Sequence, residues 1–406
     1  KNFMKKSMIV AAMLTMVATG ANAKSATDSA TIAKNKPVFT VVKQNPITSI
    51  KDQNRSGTCW AYSTLSYFES EILKHTGKTY DLSEMFVANK TYMDRATMAV
   101  RMHGDVSFSQ GGSAYDVLYA LQHYGIVPEG AMPAPGTLTG DSLANFGEFF
   151  DVMTPYVEAV AKSNAKKISS AWKSGLQGII DSYIGKTPEK FTYQGKQYTP
   201  QSFCQSLGLN LDDYVTITSY THHPMWSKFA VEVQDNWRWP LSYNVPMDDL
   251  CKIIDNAINN GYTVAWGGDV TEDGFTRKGL GIAYDVKKVR SMAGTDADHW
   301  FKLSKDEKKE KFDSLGVNAP EVVPTQAMRQ EAFDNWETTD DHGMHIYGIA
   351  KDQNGKEYYM VKNSWGEYGD YKGTWYMTKA FVAYKTMDFM VNKNAIPKDI
   401  RKKLGI

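Results

Sequence analysis

The apolar positions change period about midway along the chain, and that change divides it in two. From Cys59 onward, Trp60, Tyr62, Leu65, Phe68, Ile72 and Leu73 recur at helical spacing. They predict a helix that begins at Cys59, directly after the polar, turn-forming stretch Asn54 to Gly57. Asp81-Leu82-Ser83-Glu84 predicts the capped start of a second helix through Met85, Phe86 and Ala88. Gly111-Gly112 breaks the chain before a third periodic segment, Tyr115, Leu118, Tyr119 and Leu121, which ends near Gly125. Between Leu143 and Ile184, Phe146, Phe149, Phe150, Met153, Val157 and Val160 fall on one stripe with Lys or Glu elsewhere, as in an insertion or helical subdomain.

From Val215 the pattern is mixed, with short β-prone runs at Thr263 to Trp266 and Gly281 to Tyr284. The strongest strand pair is His345 to Ala350 and Tyr358 to Asn363, joined by Asp352-Gln353-Asn354-Gly355. Asn-Gly between alternating runs is a hairpin signal. The charge run Lys302 to Lys311 reads as a solvated helix or loop. The chain is therefore expected to be α+β, with a helix-rich amino-terminal half, a β-rich carboxy-terminal half and a cleft between them for chemistry.

The first residues depart from this plan. Lys5 and Lys6 precede the apolar run Met8 to Thr19, and Ala21-Asn22-Ala23 has the small residues a signal peptidase needs. Residues 1–23 are expected to be a cleaved signal peptide and 24–45 a loose leader, with the mature chain in the periplasm or outside the cell. The apolar run is too short for a membrane-spanning helix, so no stable membrane anchor is expected. Forty-six basic and forty-five acidic side chains give a formal charge of +1, which supplies no field for a nucleic acid. The three cysteines, Cys59, Cys204 and Cys251, exclude a disulfide scaffold. Cys204 and Cys251 are read either as one bridge or as two buried thiols.

Chemistry concentrates on Cys59. A helix amino terminus and a nearby imidazolium both stabilise a thiolate. Gln53 has an amide able to donate to an oxyanion beside the Cys59 backbone N–H. Two histidines compete as the base. His342 and His345, three apart in a strand, face opposite sides, and His342, at the strand's entry before Gly343, is the better placed. Asn363 closes the second strand near that entry and can accept the imidazole N–H; Trp365 can shield the bond from water. No metal and no cofactor is expected.

Gln53 to Ala61, Asp81 to Glu84, Gly111-Gly112, His342-Gly343-Met344 and Asn363-Ser364-Trp365-Gly366 together resemble the papain-like cysteine peptidases in order and spacing. Arg55-Ser56-Gly57-Thr58-Cys59-Trp60, Gly267 to Val270 and Asn392 to Pro397 look most like the bleomycin hydrolase and aminopeptidase C branch. The resemblance implies a papain-like two-lobed fold over residues 46–403, with a helical insertion and connecting region over about 130–260. It also implies peptide hydrolysis through a thioester, with Gln53, Cys59, His342 and Asn363 in the oxyanion, nucleophile, base and orienting roles. Gly111, Gly112 and Trp365 would contact the peptide substrate, and assembly would be a hexameric ring. Relatives of that branch carry an apolar tail into the cleft beyond the point where this sequence ends, after residues 404–406. A shorter end would open the cleft to endopeptidase or oligopeptidase action. The remaining alternative, an inactive scaffold, is opposed by the intact Gln, Cys, His and Asn.

Overall fold

The computed structural model describes residues 35–135, 143–292, 304, 306–308, 312 and 315–406. The expected signal peptide and most of the charge run 302–311 lie outside the described residues. Helix Cys59–Thr76 begins where the period predicts. Every residue from Trp60 to Ile72 is buried, polar Ser63, Ser66, Glu69 and Glu71 included. It is therefore a central helix rather than an amphipathic surface one. Gly77, at φ 69°, ends it by returning its N–H to the Leu73 carbonyl at 2.9 Å.

Ser83 caps helix Glu84–Arg101, its Oγ accepting the Phe86 N–H at 3.1 Å. Ser113 and Asp116 form a capping box at the start of Ala114–His123. Helices Gly147–Ala161 and Ala171–Ile184 follow, and Phe146, Phe149, Met153, Leu176 and Ile180 share one apolar core with Trp60, Leu65 and Tyr92. The inserted helices thus enlarge the core around the Cys59 helix instead of building a second one.

The other half is a mixed, 11-stranded sheet. At its centre strand His342–Lys351 lies between Val264–Gly268 and Glu357–Lys362. His342 is opposite Gly268 and Gly343 is opposite Gly267. The expected hairpin is present, its turn closed by the Gly355 N–H to the Asp352 carbonyl at 3.0 Å with Gly355 at φ 82°. Strand Thr40–Gln44, within the segment read as a leader, also pairs with His342–Lys351. Strand Thr386–Asn392 pairs with Val264–Gly268, and its register shifts between Thr386 and Asp388. Such an irregularity re-aims a side chain. A smaller compact unit draws on the described residues among 283–322 and on 351–356, where Tyr284 stacks on Phe312 at 4.3 Å and Lys356 pairs with Glu321 at 2.7 Å.

Candidate active site

Cys59 is the first residue of its helix, and the capping position Thr58 offers no side-chain hydrogen bond to that first turn. The Thr58 hydroxyl is instead 2.5 Å from the Ser56 hydroxyl. The leading N–H groups of the helix are thus not consumed by a cap. Gln110 fixes the approach: its Oε1 accepts the Gly57 N–H at 2.7 Å and its carbonyl accepts the Trp60 indole N–H at 3.0 Å. Cys59 remains half-buried, and all three cysteines are free thiols.

On the facing wall, His342 opens its strand and is buried. Its Nε2 lies 2.8 Å from Asn363 Oδ1. Asp269, itself fully buried, accepts the Thr339 N–H at 3.1 Å and so holds the chain entering that strand. The Trp365 ring packs 5.0 Å from the His342 ring, braced edge-on against Trp375 at 5.4 Å. Gly343 is needed for the approach of the two walls, because a Cβ there would lie 2.7 Å from Ser63 Oγ and 3.3 Å from the Cys59 carbonyl oxygen. His345 faces away into the interior, with Nδ1 2.9 Å from Ser66 Oγ.

A cavity of about 170 Å³ opens between the walls, lined by Cys59, His342, Gly111 and Gly112. The glycines have steric reasons. A Cβ on Gly111 would fall 1.8 Å from Asp235 Oδ2, and one on Gly112 2.9 Å from the Trp60 indole. Asn363, Trp365 and Gln53 lie behind the lining rather than in it. Gln53 Nε2 donates to the Ser56 carbonyl at 2.7 Å, and its Oε1 accepts the Ser364 hydroxyl at 2.6 Å. Sequence reasoning missed the acidic part of the wall, Asp235, Asp340, Asp341 and Asp388. Only Asp341 stood beside a recognised motif.

Burial dominates the electrostatics. It pushes the Cys59 thiol up to about 11, against N–H groups of Gly343 and Trp60 that hydrogen-bond the sulfur. It lowers the His342 imidazole to about 4, against the Asn363 hydrogen bond. Burial thus favours the uncharged form of each group taken alone. Burial also raises Asp340, helped by repulsion from Asp235, Asp388 and Asp341, and pushes Asp388 up to about 6.

A helical lobe carrying the cysteine and a sheet lobe carrying the histidine, meeting at one cleft, make this a papain-like α+β fold. The chain belongs to the Peptidase C1-like family, whose profile matches residues 1–315 and 321–405. Aminopeptidase G of Lactobacillus delbrueckii subsp. lactis is 23% identical over 397 residues, covering 89% of this chain and 84% of that protein. Human bleomycin hydrolase is 22% identical over 419 residues, covering 91% and 86%. The crystal structure of PepW from Lactobacillus rhamnosis HN001 superposes with a TM-score of 0.67 at 19% identity, covering 93% of this chain and 86% of that one. The branch is thus that of aminopeptidase C and bleomycin hydrolase.

Proposed function

We propose that the chain is a cysteine peptidase that removes residues from the amino terminus of peptides. The observation that carries this reading is the His342–Asn363 hydrogen bond of 2.8 Å behind a cleft that Cys59 and His342 both line. With Nε2 bound to Asn363, Nδ1 of His342 accepts the thiol proton as the sulfur attacks the scissile carbonyl. The backbone N–H of Cys59 stabilises the oxyanion, and the amide N–H that Gln53 does not give to Ser56 is the candidate second donor, reaching it from behind the lining. Collapse breaks the C–N bond, and the leaving amine takes the proton from His342. Water, deprotonated by His342, then cleaves the thioester, returning the thiol and releasing the carboxylic acid.

The preference for a free amino terminus rests on the acidic wall. An α-ammonium placed there is a counter-ion for Asp340 and Asp388, and several relatives are named aminopeptidases. Mass-spectrometric digestion of one peptide with free and with acetylated amino terminus tests it. Stepwise loss from the free form alone is expected; internal cuts in both forms would replace the reading with an endopeptidase. Cys59→Ala should lower turnover by about 10⁴-fold and Asn363→Ala by about 10²-fold. Unchanged turnover in Cys59→Ala would exclude the mechanism.

Export follows from the charged and apolar pattern of residues 5–23. Among the described residues no helix is long and apolar enough to cross a membrane. The mass of the mature chain, expected to start at Lys24, checks the cleavage site. The hexameric ring rests on the branch resemblance, and light scattering on the purified chain tests it.

A further inference from the structure

Away from the thiol, two imidazoles and one carboxylate converge. His222 Nε2 lies 3.0 Å from Glu232 Oε2, and His223 Nε2 lies 2.8 Å from Glu232 Oε1. The three donor atoms sit within 4.8 Å of one another. A cation about 2.0–2.1 Å from each of three such ligands needs ligand–ligand spacings of roughly 3.3 Å, and the two His–Glu spacings of 3.0 and 2.8 Å fall just short of it.

The rings are held in place. Phe229 stacks on His223 at 4.1 Å and 19°, and Phe333 lies parallel to His222 at 5.6 Å and 13°. The Gln330 amide covers the other nitrogen of His222, with Nε2 3.0 Å and Oε1 3.3 Å from Nδ1. That oxygen is fixed as an acceptor by the Thr221 N–H at 2.6 Å. With the amide nitrogen the nearer atom, Nδ1 accepts and Nε2–H donates to the Glu232 carboxylate. A divalent cation bound there displaces the shared proton and takes the imidazole nitrogen and the carboxylate as ligands.

We propose that His222, His223 and Glu232 bind one borderline-soft divalent cation, of which Zn²⁺ is the type, and that the bound ion stiffens one wall of the cleft. Two imidazoles and a carboxylate select such a metal over Ca²⁺ or Mg²⁺, which favour all-oxygen sites. Three protein ligands leave a position for water, as suits an exchangeable ion. The link to the cleft is covalent: Glu232 stands between Val231 and Val233, which line the cavity together with Asp235 and Asn236. Asn236 already folds this loop on itself, its Nδ2 donating to the Val231 carbonyl at 2.9 Å. Arg95 holds the far end through Asp235 at 3.1 Å. The cation would fix the remaining end to the His222–His223 segment. This departs from the sequence expectation of no metal.

The test uses the full mature chain as Cys59→Ser, so that the nucleophile takes no part, titrated calorimetrically with Zn²⁺. One equivalent is expected to bind. Adding His223→Ala or the near-isosteric Glu232→Gln should weaken binding by about tenfold or more, while His342→Ala should leave it unchanged. No binding by the Cys59→Ser chain, or superimposable titrations for it and both site variants, would overturn the proposal. Should the variants fail to fold, hydrogen exchange on the Cys59→Ser chain decides: slowing across residues 221–236 with Zn²⁺ supports the site, and unaltered exchange there overturns it.

Discussion

Two groups of charged residues lie on either side of the His342–Lys351 strand, and they are built on opposite terms. On the interior side Lys51 is 2.6 Å from Asp81, 2.9 Å from Glu84 and 3.8 Å from Glu69. Burial works against the Lys51 ammonium, but Glu84, Glu69, Asp81 and Glu129 outweigh it and hold it above the ordinary lysine range. Lys362, which burial brings down to about 8, donates to Ser66 at 2.7 Å and to Thr48 at 3.1 Å. Each charge there has a partner within the fold. On the cleft side Asp340 meets chiefly Asp235, Asp388 and Asp341, with the buried Arg95, paired to Asp235, acting against that repulsion, and Asp388 has the Ser242 hydroxyl as its partner. The interior group is complete without a ligand, whereas the cleft carboxylates carry an excess of negative charge that the proposed α-ammonium would balance.

The largest effect that can break this contrast is expected from Lys51→Met. It leaves Glu69 and Glu84 buried without their ammonium and should cost about 3 kcal/mol of stability, read from urea melts. A loss within about 0.5 kcal/mol, the range of an ordinary surface substitution, would make the interior network decorative. The opposite sign is expected of Asp340→Asn. Removing one of several mutually repelling carboxylates should leave the fold as stable or more so, while KM for substrates with a free amino terminus rises about tenfold, roughly 1.4 kcal/mol. Equal effects on acetylated substrates would detach the acidic wall from amino-group binding.

The smallest effect lies in pH. Asp388, raised by burial from 3.8 to about 6, keeps its proton in the folded chain where the unfolded chain has lost it. Its contribution to stability is therefore lost as pH rises from about 4 to about 6. In the folded chain its charge appears as pH passes through about 6, so KM for free-amino substrates should fall there while KM for acetylated ones stays flat. The proposed base follows a lower limb: His342, lowered to about 4, is already unprotonated where Asp388 ionises near 6. A rise in kcat centred near pH 6.5, the ordinary histidine value, would contradict its burial.

How much of this was legible follows from where each signal lies in the chain. Cys59 and its helix were readable because the apolar period, the turn before it and the first helical residue are contiguous. The His342–Asn363 pairing was readable because a hairpin brings strand entry and strand exit together, so a local turn signal carries a contact between distant residues. Gly111 and Gly112 were placed by resemblance; their physical reason, the Asp235 carboxylate and the Trp60 indole, needed the fold. Asp235 and Asp388 had no local signal. One lies in an irregular loop, and the other is aimed by a register shift that no alternation pattern records. Gln53 was found, but not its engagement with Ser56 and Ser364, which holds it behind the wall. The strand at Thr40–Gln44 escaped notice because its partner, His342–Lys351, comes from the far end of the sequence.

Gly343 acts as a clearance gauge between the two halves of the molecule. With only hydrogen where a Cβ would stand 2.7 Å from Ser63 Oγ, the histidine strand seats directly on the first turn of the cysteine helix. The reach from thiol to imidazole is thereby set by backbone seated on backbone, not by the conformations of flexible side chains. Loops around the rim are free to diverge and retune which peptides enter, because the tolerance of the reacting pair is machined elsewhere.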